Sequence, residues 1–237
     1  MTHVARLSLA TGSVLMLATG FVDAYTFLRH GHVFAEAMTG NLVLIAIGTF
    51  DPGIVAFWRP LTSYVAFVLG VVAIWVWSRG QGTQERLPGP QLTTLGLQVV
   101  VLAVVGFLSG GAVSVVITAL ISFAAGMQIA AFREVGRASF TTTVMTTNSM
   151  KTVNAALTAL TSTDSESRAV ARAYGTALAG FVGGAFLGAF LSTRIGDRAV
   201  WVDAALFAVA GGLYLADCLR SEPRRGHVTE ADAGSEA

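Results

Sequence analysis

The sequence predicts an all-α, polytopic membrane protein, and three observations carry that expectation. Of 237 residues, 54% are hydrophobic and 12% charged, against about 45–50% and about 25% in an ordinary soluble domain. Too little polar surface is present to cover a soluble body. The mean hydropathy is +0.66, and six apolar stretches reach the roughly 17 to 20 residues with which a helix crosses a hydrocarbon core about 30 Å thick.

Residues 7–28 form the first stretch, with Asp23 as its one charge. It imitates a secretory signal, since Arg6 precedes an apolar run, but the run continues past Asp23 with no small-residue cleavage site followed by polar sequence. The other five are residues 61–77, 92–108, 112–132, 173–193 and 199–216, the last with Asp203 as its charge. Two further stretches do not read as plain lipid-facing helices. Residues 38–50 are only 13 long, and residues 140–160 carry seven threonines with Asn148, Asn154 and Lys151. Residues 1–6 read as a short tail and residues 220–237 as a disordered cytoplasmic tail, because the latter is charged and has almost nothing to bury.

The chain resembles itself. Gly20, Ala24, Phe34 and the run Met38-Thr39-Gly40-Asn41 recur as Gly126, Ala130, Phe140 and Met145-Thr146-Thr147-Asn148. Tyr64 and Gly70 recur as Tyr174 and Gly180, a step of 110. Residues 7–108 and 112–217 therefore read as two transmembrane copies of one unit, against chance matching of two apolar stretches.

Arginine placement counts the crossings, because cytoplasmic loops are enriched in Lys and Arg. With the N-terminus inside, letting all eight stretches cross divides the arginines evenly, as does letting 140–160 cross without 38–50. If neither crosses, Arg6, Arg79, Arg86, Arg133, Arg137, Arg168, Arg172, Arg220, Arg224 and Arg225 fall inside and Arg29, Arg59, Arg194 and Arg198 outside. That biased solution gives three crossings per copy, six in all, and an odd number makes the copies an inverted 3+3 repeat. A re-entrant hairpin is feasible at 38–50: extended residues 29–37 reach about 30 Å, and a helix over 39–50 returns about 18 Å. A helix over 143–160 returns about 27 Å, nearly a full span. Such a hairpin puts Glu36 below the surface, where a carboxylate is costly unless paired or facing water.

The residues Gly20-Phe-Val-Asp-Ala-Tyr, Val33-Phe34, Met38-Thr-Gly-Asn41, Gly126-Met-Gln128 and the Thr-rich run 141–147 resemble the motifs of the YoaK-like bacterial membrane proteins, from about Gly12 to Ala216. The resemblance implies an integral membrane protein of about six spans, from a family with no established biochemical activity. Two departures stand out. Ile129 follows Gln128 where the family commonly has Asn, and Thr146-Thr147 stands where the second copy commonly has Thr-Gly.

Polar residues inside apolar spans are expensive and often functional. Asp23 lies about 24 Å along its helix from Leu7, below the outer face. It reads either as a carrier of a proton or Na⁺ or as a carboxylate that caps a helix or bridges to a neighbouring span, with Lys151 as candidate partner or as a snorkelling lysine. Asp203, after Trp201, reads as an interfacial residue. Thr39-Gly40-Asn41 and Thr146-Thr147-Asn148 stand at the starts of the two short helices, where such side chains cap orphan N–H groups. Opposed half-helix N-termini would also aim their positive dipole ends at one central cavity. His30, His32 and Glu36 form an H-x-H-x-x-x-E pattern, but the two histidines read as interfacial rather than metal-ligating residues, with no second cluster to complete a coordination shell. Gly180, Gly184 and Gly188 form a small-residue ridge for close packing, between the copies or across a homodimer.

Several classes are excluded. A net charge of +1 supplies no basic face for nucleic acid, and the lone Cys218 allows neither an intrachain disulfide nor a cysteine zinc cluster. No nucleophile elbow, Walker loop, metalloprotease motif or dinucleotide fingerprint is present, so an enzyme is not expected, nor a metal or cofactor. The expectation is a small-solute transporter or channel-like permease of the inner (plasma) membrane with both termini cytoplasmic. Its site would be lined by Asp23, Thr39, Asn41, Gln128, Thr146, Asn148 and Lys151, with coupling to protons or Na⁺ through Asp23. The partners are the lipid bilayer and an unidentified small molecule. The competing reading is a non-transporting sensor or assembly partner.

Overall fold

Each predicted apolar stretch folds as a helix, and so do both awkward ones. The computed structural model describes residues 8–80, 89–108, 113–132, 145–161 and 165–221. These form eight α-helices and, among the described residues, no strand: α1 Leu9–Arg29, α2 Met38–Phe50, α3 Trp58–Gly80, α4 Gly89–Val105, α5 Ser114–Ala131, α6 Met145–Thr161, α7 Ser165–Ile195 and α8 Val200–Ser221. A 3₁₀ turn, Gly196–Ala199, joins α7 to α8. Residues 1–6, 140–144 and 222–237, the subject of expectations above, lie outside the described residues.

Four segments are long and apolar enough to cross a membrane: Leu9–Arg29, Trp58–Trp77, Ser114–Ala131 and Arg168–Arg220. The last is 53 residues long and holds two of the six expected stretches, because only the 3₁₀ turn separates them. The expected stretch 92–108 forms α4, which at 17 residues is a shorter apolar helix.

Local chemistry sets the ends of α1. Ser8 caps it, its Oγ accepting the Thr11 N–H at 3.2 Å, which satisfies one of the orphan donors of a first turn. At the other end Gly31 (φ +86°) and His32 (φ +59°) turn the chain back. A Cβ on Gly31 would collide with the Arg59 guanidinium, so the exit from α1 lies beside the entry to α3. The segment between them leaves and returns at the same end of the bundle. Within it, α2 begins against Asp23 and finishes against the turn 51–57, where a Cβ on Gly48 would strike the backbone of Val55 and Phe57.

Helix directions follow from the glycine contacts. Gly180, Gly184 and Gly188 of α7 lie against Ser13, Leu17 and Phe21 of α1, a constant step of 167, so the two helices run parallel. The ridge expected on α7 is thus used internally. In α3 and α5, Ser63 meets Ser122 and Phe67 meets Gly126, a constant step of 59, and these are parallel too. By contrast, Leu95 and Ala103 of α4 meet Gly211 and Trp201 of α8, which makes that pair antiparallel. In hydrocarbon no hydrophobic force pulls helices together, so backbone approach at small residues supplies the packing.

The apolar core lies among α1, α4, α5 and α8, with Phe21, Leu102, Ile121, Phe207 and Tyr214 at its centre. Outward faces are apolar as well. Val65, Leu69, Val72 and Val76 of α3 and Phe186 of α7, the last 75% exposed, would be an aggregation liability in water and suit a lipid surround. Polar side chains instead point inward, as Thr11, Thr19, Asn41, Ser63, Gln98 and Gln128 illustrate.

Candidate functional site

Asp23 is buried on α1 two turns before its end and takes the role of a cap for another helix. Its Oδ1 accepts the backbone N–H of Glu36 at 2.8 Å and of Ala37 at 3.3 Å. Ala37 is the N-cap position of α2 and offers no side-chain bond of its own. The carboxylate therefore faces the positive end of α2, a favourable placement for an anion.

Asn41, expected to cap α2, does not. It lies inside the first turn, where its Oδ1 accepts the Phe34 N–H at 3.0 Å and its Nδ2 donates to Phe34 O at 2.7 Å and to Ser63 Oγ at 3.1 Å. A cap must precede the helical turn, whereas Asn41 reaches back seven residues to pin the incoming loop. Ser63 continues the chain of bonds to Ser122 of α5 at 2.7 Å. The loop, α2, α3 and α5 are thus fastened by one polar ladder.

Asp203 differs from its expectation as an interfacial residue: it is 0% exposed, and neither carboxylate oxygen has a hydrogen-bond partner. The Gly196–Ala199 turn starts α8 inside the bundle, so a residue that follows a tryptophan in sequence is nonetheless enclosed. Asp203 lies within electrostatic range of both Glu36 and Asp23. Glu36 is 1% exposed and its two oxygens are likewise unpartnered, with the Thr19 hydroxyl beside it. Three carboxylates from α1, the α1–α2 loop and α8 thus share one electrostatic neighbourhood, and no basic side chain among the described residues pairs with any of them.

The remaining expected residues are dispersed. Gln128 on α5 is 0% exposed with an unpartnered amide, as is Gln98 on α4, which sequence reasoning passed over. Thr39 is exposed on α2. Lys151 of α6 sits over the Tyr174 ring at 5.5 Å and not against Asp23. Thr146 and Asn148 belong to α6, but their side chains lie outside the described residues.

His30 is buried, where interfacial exposure was expected. Its Nε2 bonds Tyr25 Oη at 2.9 Å and its Nδ1 meets Ser114 Oγ at 3.3 Å. Since the phenolic proton goes to Asp197 O, Nε2 carries the imidazole proton and Nδ1 accepts from Ser114. Burial pushes the imidazole down to about 4, so it is neutral at ordinary pH. His32 instead stacks edge-on against Phe27. Among the described residues no three acid, imidazole or thiol side chains converge to hold a metal ion.

An almost wholly apolar cavity of about 450 Å³ opens between α1, α7 and the loop, with Asp23, Phe27, Phe34, Phe181 and Phe186 among its lining residues. The signal that would have found Asp203, Glu36 and Gln98 was already in the sequence. Each is a lone polar group within or beside an apolar run.

Comparison with known proteins agrees with the membrane architecture. Over 137 residues the chain is 31% identical to a protein of Bacillus subtilis (strain 168) named UPF0700 transmembrane protein YoaK, covering 56% of this chain and 60% of that protein. No solved structure matches. A family model described as "Protein of unknown function (DUF1275)" matches residues 11–213. A transmembrane relative, an apolar lipid-suited exterior and a match across most of its length make one conclusion: the chain is a membrane protein and belongs to the DUF1275 family.

Proposed function

We propose that the chain is a small-solute transporter or channel-like permease of the inner (plasma) membrane, built as an inverted 3+3 repeat with both termini cytoplasmic. The observation that carries this reading is the set of helix directions. Eight full crossings would make α4 and α8 parallel, and a crossing by only one of α2 and α6 would make α1 and α7 antiparallel. Three crossings per copy give α1 parallel to α7, α3 parallel to α5 and α4 antiparallel to α8, the directions described above.

The packing contacts support the same reading, because each is made twice. Gly20 meets Phe181 and Gly126 meets Phe67; Leu17 meets Gly184 and Phe123 meets Gly70. Both pairs obey a step of 106 from α1 to α5 and 114 from α3 to α7, so Gly70 corresponds to Gly184, one helical turn beyond the Gly180 suggested by sequence. Inverted repeats with half-length helices are the architecture of many secondary transporters, whose sites lie between the repeats. Asp23 would be the fixed anion of the coupling site, and only the first copy has it, since Ile129 stands at the corresponding position.

The test is solute-driven flux. Proteoliposomes loaded with a pH-sensitive dye are challenged with panels of amino acids, small organic acids, sugars and amines, alongside a thermal-shift screen of the same panels. A ligand at 100 times its Kd stabilises the fold by about 2.7 kcal/mol. The expected result is one chemical class that both raises the melting temperature and moves protons or solute. No response to any class would overturn the transport reading in favour of a sensor or assembly partner.

A further inference from the structure

We propose that Glu36 and Asp203 form a proton-holding carboxyl pair near the outer end of the bundle, while Asp23 serves as its fixed structural anion. This deepens the transport reading, on which the pair's use in coupling rests, but its proton occupancy is measurable without transport.

The division of roles follows from hydrogen bonding. Asp23 spends its charge on the N–H groups that open α2. Glu36 and Asp203 have all four oxygens buried and unpartnered, and an isolated ionised carboxylate in such a place neutralises rather than persists. A proton satisfies each group singly: it binds one carboxylate oxygen, the negative charge is lost, and release returns the anion. A metal ion would need several oxygens around one point, and among the described residues no three acidic or imidazole groups converge in that way.

A neutral group independently points into the cluster. The Thr19 hydroxyl is 1% exposed, makes no other hydrogen bond and lies beside the Glu36 carboxyl. Donating to the ionised carboxylate or accepting from the protonated carboxyl, this hydroxyl fits both states of Glu36. Gln98 of α4 adds an unpartnered amide, between Leu95, which meets Gly211, and Ala103, which bonds Trp201. It therefore faces the stretch of α8 that holds Asp203.

The titratable surroundings are few. On α1 and its end are Asp23, Tyr25 and His30; at the 3₁₀ turn are Asp197, bonded to Arg29 at 2.8 Å, and Arg198. Nearby, α7 contributes Ser192, also buried and unpartnered, and α4 contributes no charge beside Gln98. Asp23 lies six residues before Arg29, about 9 Å along the helix, so the pair stands close to the bundle end that carries Arg29, Arg59 and Arg194.

Infrared difference spectroscopy of the full chain in phosphatidylcholine vesicles tests the pair through a pH titration in sodium-free buffer. The expected result is a protonated-carboxyl stretch that shifts in D₂O, loses one component in Glu36→Gln and another in Asp203→Asn, and survives in Asp23→Asn. Circular dichroism reports whether each variant is folded. If a variant does not fold, ¹³C labelling of the glutamates in the unmodified chain must shift the Glu36 component, and ¹³C-aspartate the other. No protonated-carboxyl band, or one that neither variant nor label moves, overturns the proposal. So does loss of the band on adding sodium, which would assign a cation instead. A band that behaves as expected in vesicles with no solute-driven flux overturns the transport reading and leaves the pair standing.

Discussion

The Asp23 carboxylate of α1 accepts the Glu36 backbone N–H at 2.8 Å and so holds the entry to α2 from a neighbouring helix. Removing it strands buried donors, which costs about 1–3 kcal/mol. Asp23→Ala should therefore lower the unfolding free energy by that amount, and Asp23→Asn by less, because an amide oxygen still accepts. Denaturation in detergent micelles checks the order. Equal loss in both variants would mean that the charge, not the acceptor, holds α2.

Asn41 makes a sharper case. Its amide both donates to and accepts from the backbone of Phe34, so Asn41→Asp removes the donor and sets a carboxylate against the Phe34 carbonyl. The expected loss is again about 1–3 kcal/mol, greater than for Ser63→Ala, because Asn41 and the Phe34 carbonyl keep their bond to each other and only the Ser122 hydroxyl loses its partner. Thermal melting of the two variants under one condition gives the comparison.

How much of this was legible beforehand depends on whether the partner was local in sequence. The α2 bounds, Met38–Phe50, coincide with the expected stretch because its apolar run and flanks define it. That Asp23 serves a helix start was one of its two readings. Asn41 was misassigned because its partner lies seven residues upstream in a loop, and no periodicity reports such a reach. Asp203 was misassigned because a residue beside Trp201 at the head of an apolar run resembles an interface, whereas a four-residue turn buries it. In the proposed repeat, the sequence match between α3 and α7 falls one turn short of the packing contacts, since glycines recur there at helical spacing and sequence alone does not choose among them.

The α7 glycines separate contact from composition. A Cβ on Gly184 would enter the Leu17 backbone, while one on Gly183 meets nothing within 4 Å. Gly184→Ala should destabilise by about 1–3 kcal/mol through forced separation of α1 and α7. Gly183→Ala should be neutral or stabilising by up to about 1 kcal/mol, the helix-propensity difference. Paired thermal melts decide it, and equal effects would dissolve the claimed α1–α7 contact.

His30 gives the pH dependence. Its imidazole is held down to about 4 by burial, below the usual value near 6.5. Between those values the unfolded chain binds a proton that the folded chain refuses, so stability falls as pH drops through that window and is fully present above it. The loss should be on the order of 3 kcal/mol, and His30→Gln should remove it without changing the slope above pH 7. Melting temperatures against pH for both proteins, compared as a difference, isolate His30 from the neighbouring carboxyls.

Topology is tested through Cys218, the single cysteine of the chain. It follows Asp217, whose carboxylate accepts the Ser8 N–H at 2.9 Å, so it marks the bundle end at which α1 begins. In the proposed topology, whose orientation rests on the arginine distribution, that end is cytoplasmic, and a membrane-impermeant maleimide should label Cys218 only after the membrane is opened. On a Cys218→Ser background, Arg59→Cys and Arg194→Cys should label in intact cells. Asp51→Cys discriminates further, because it lies in the turn after α2: an α2 that returns to its starting side leaves it outside, whereas a crossing α2 carries it inside. Labelling of Cys218 in intact cells, or protection of Asp51→Cys and Arg59→Cys until the membrane is opened, would replace the six-crossing arrangement with one in which α2 spans.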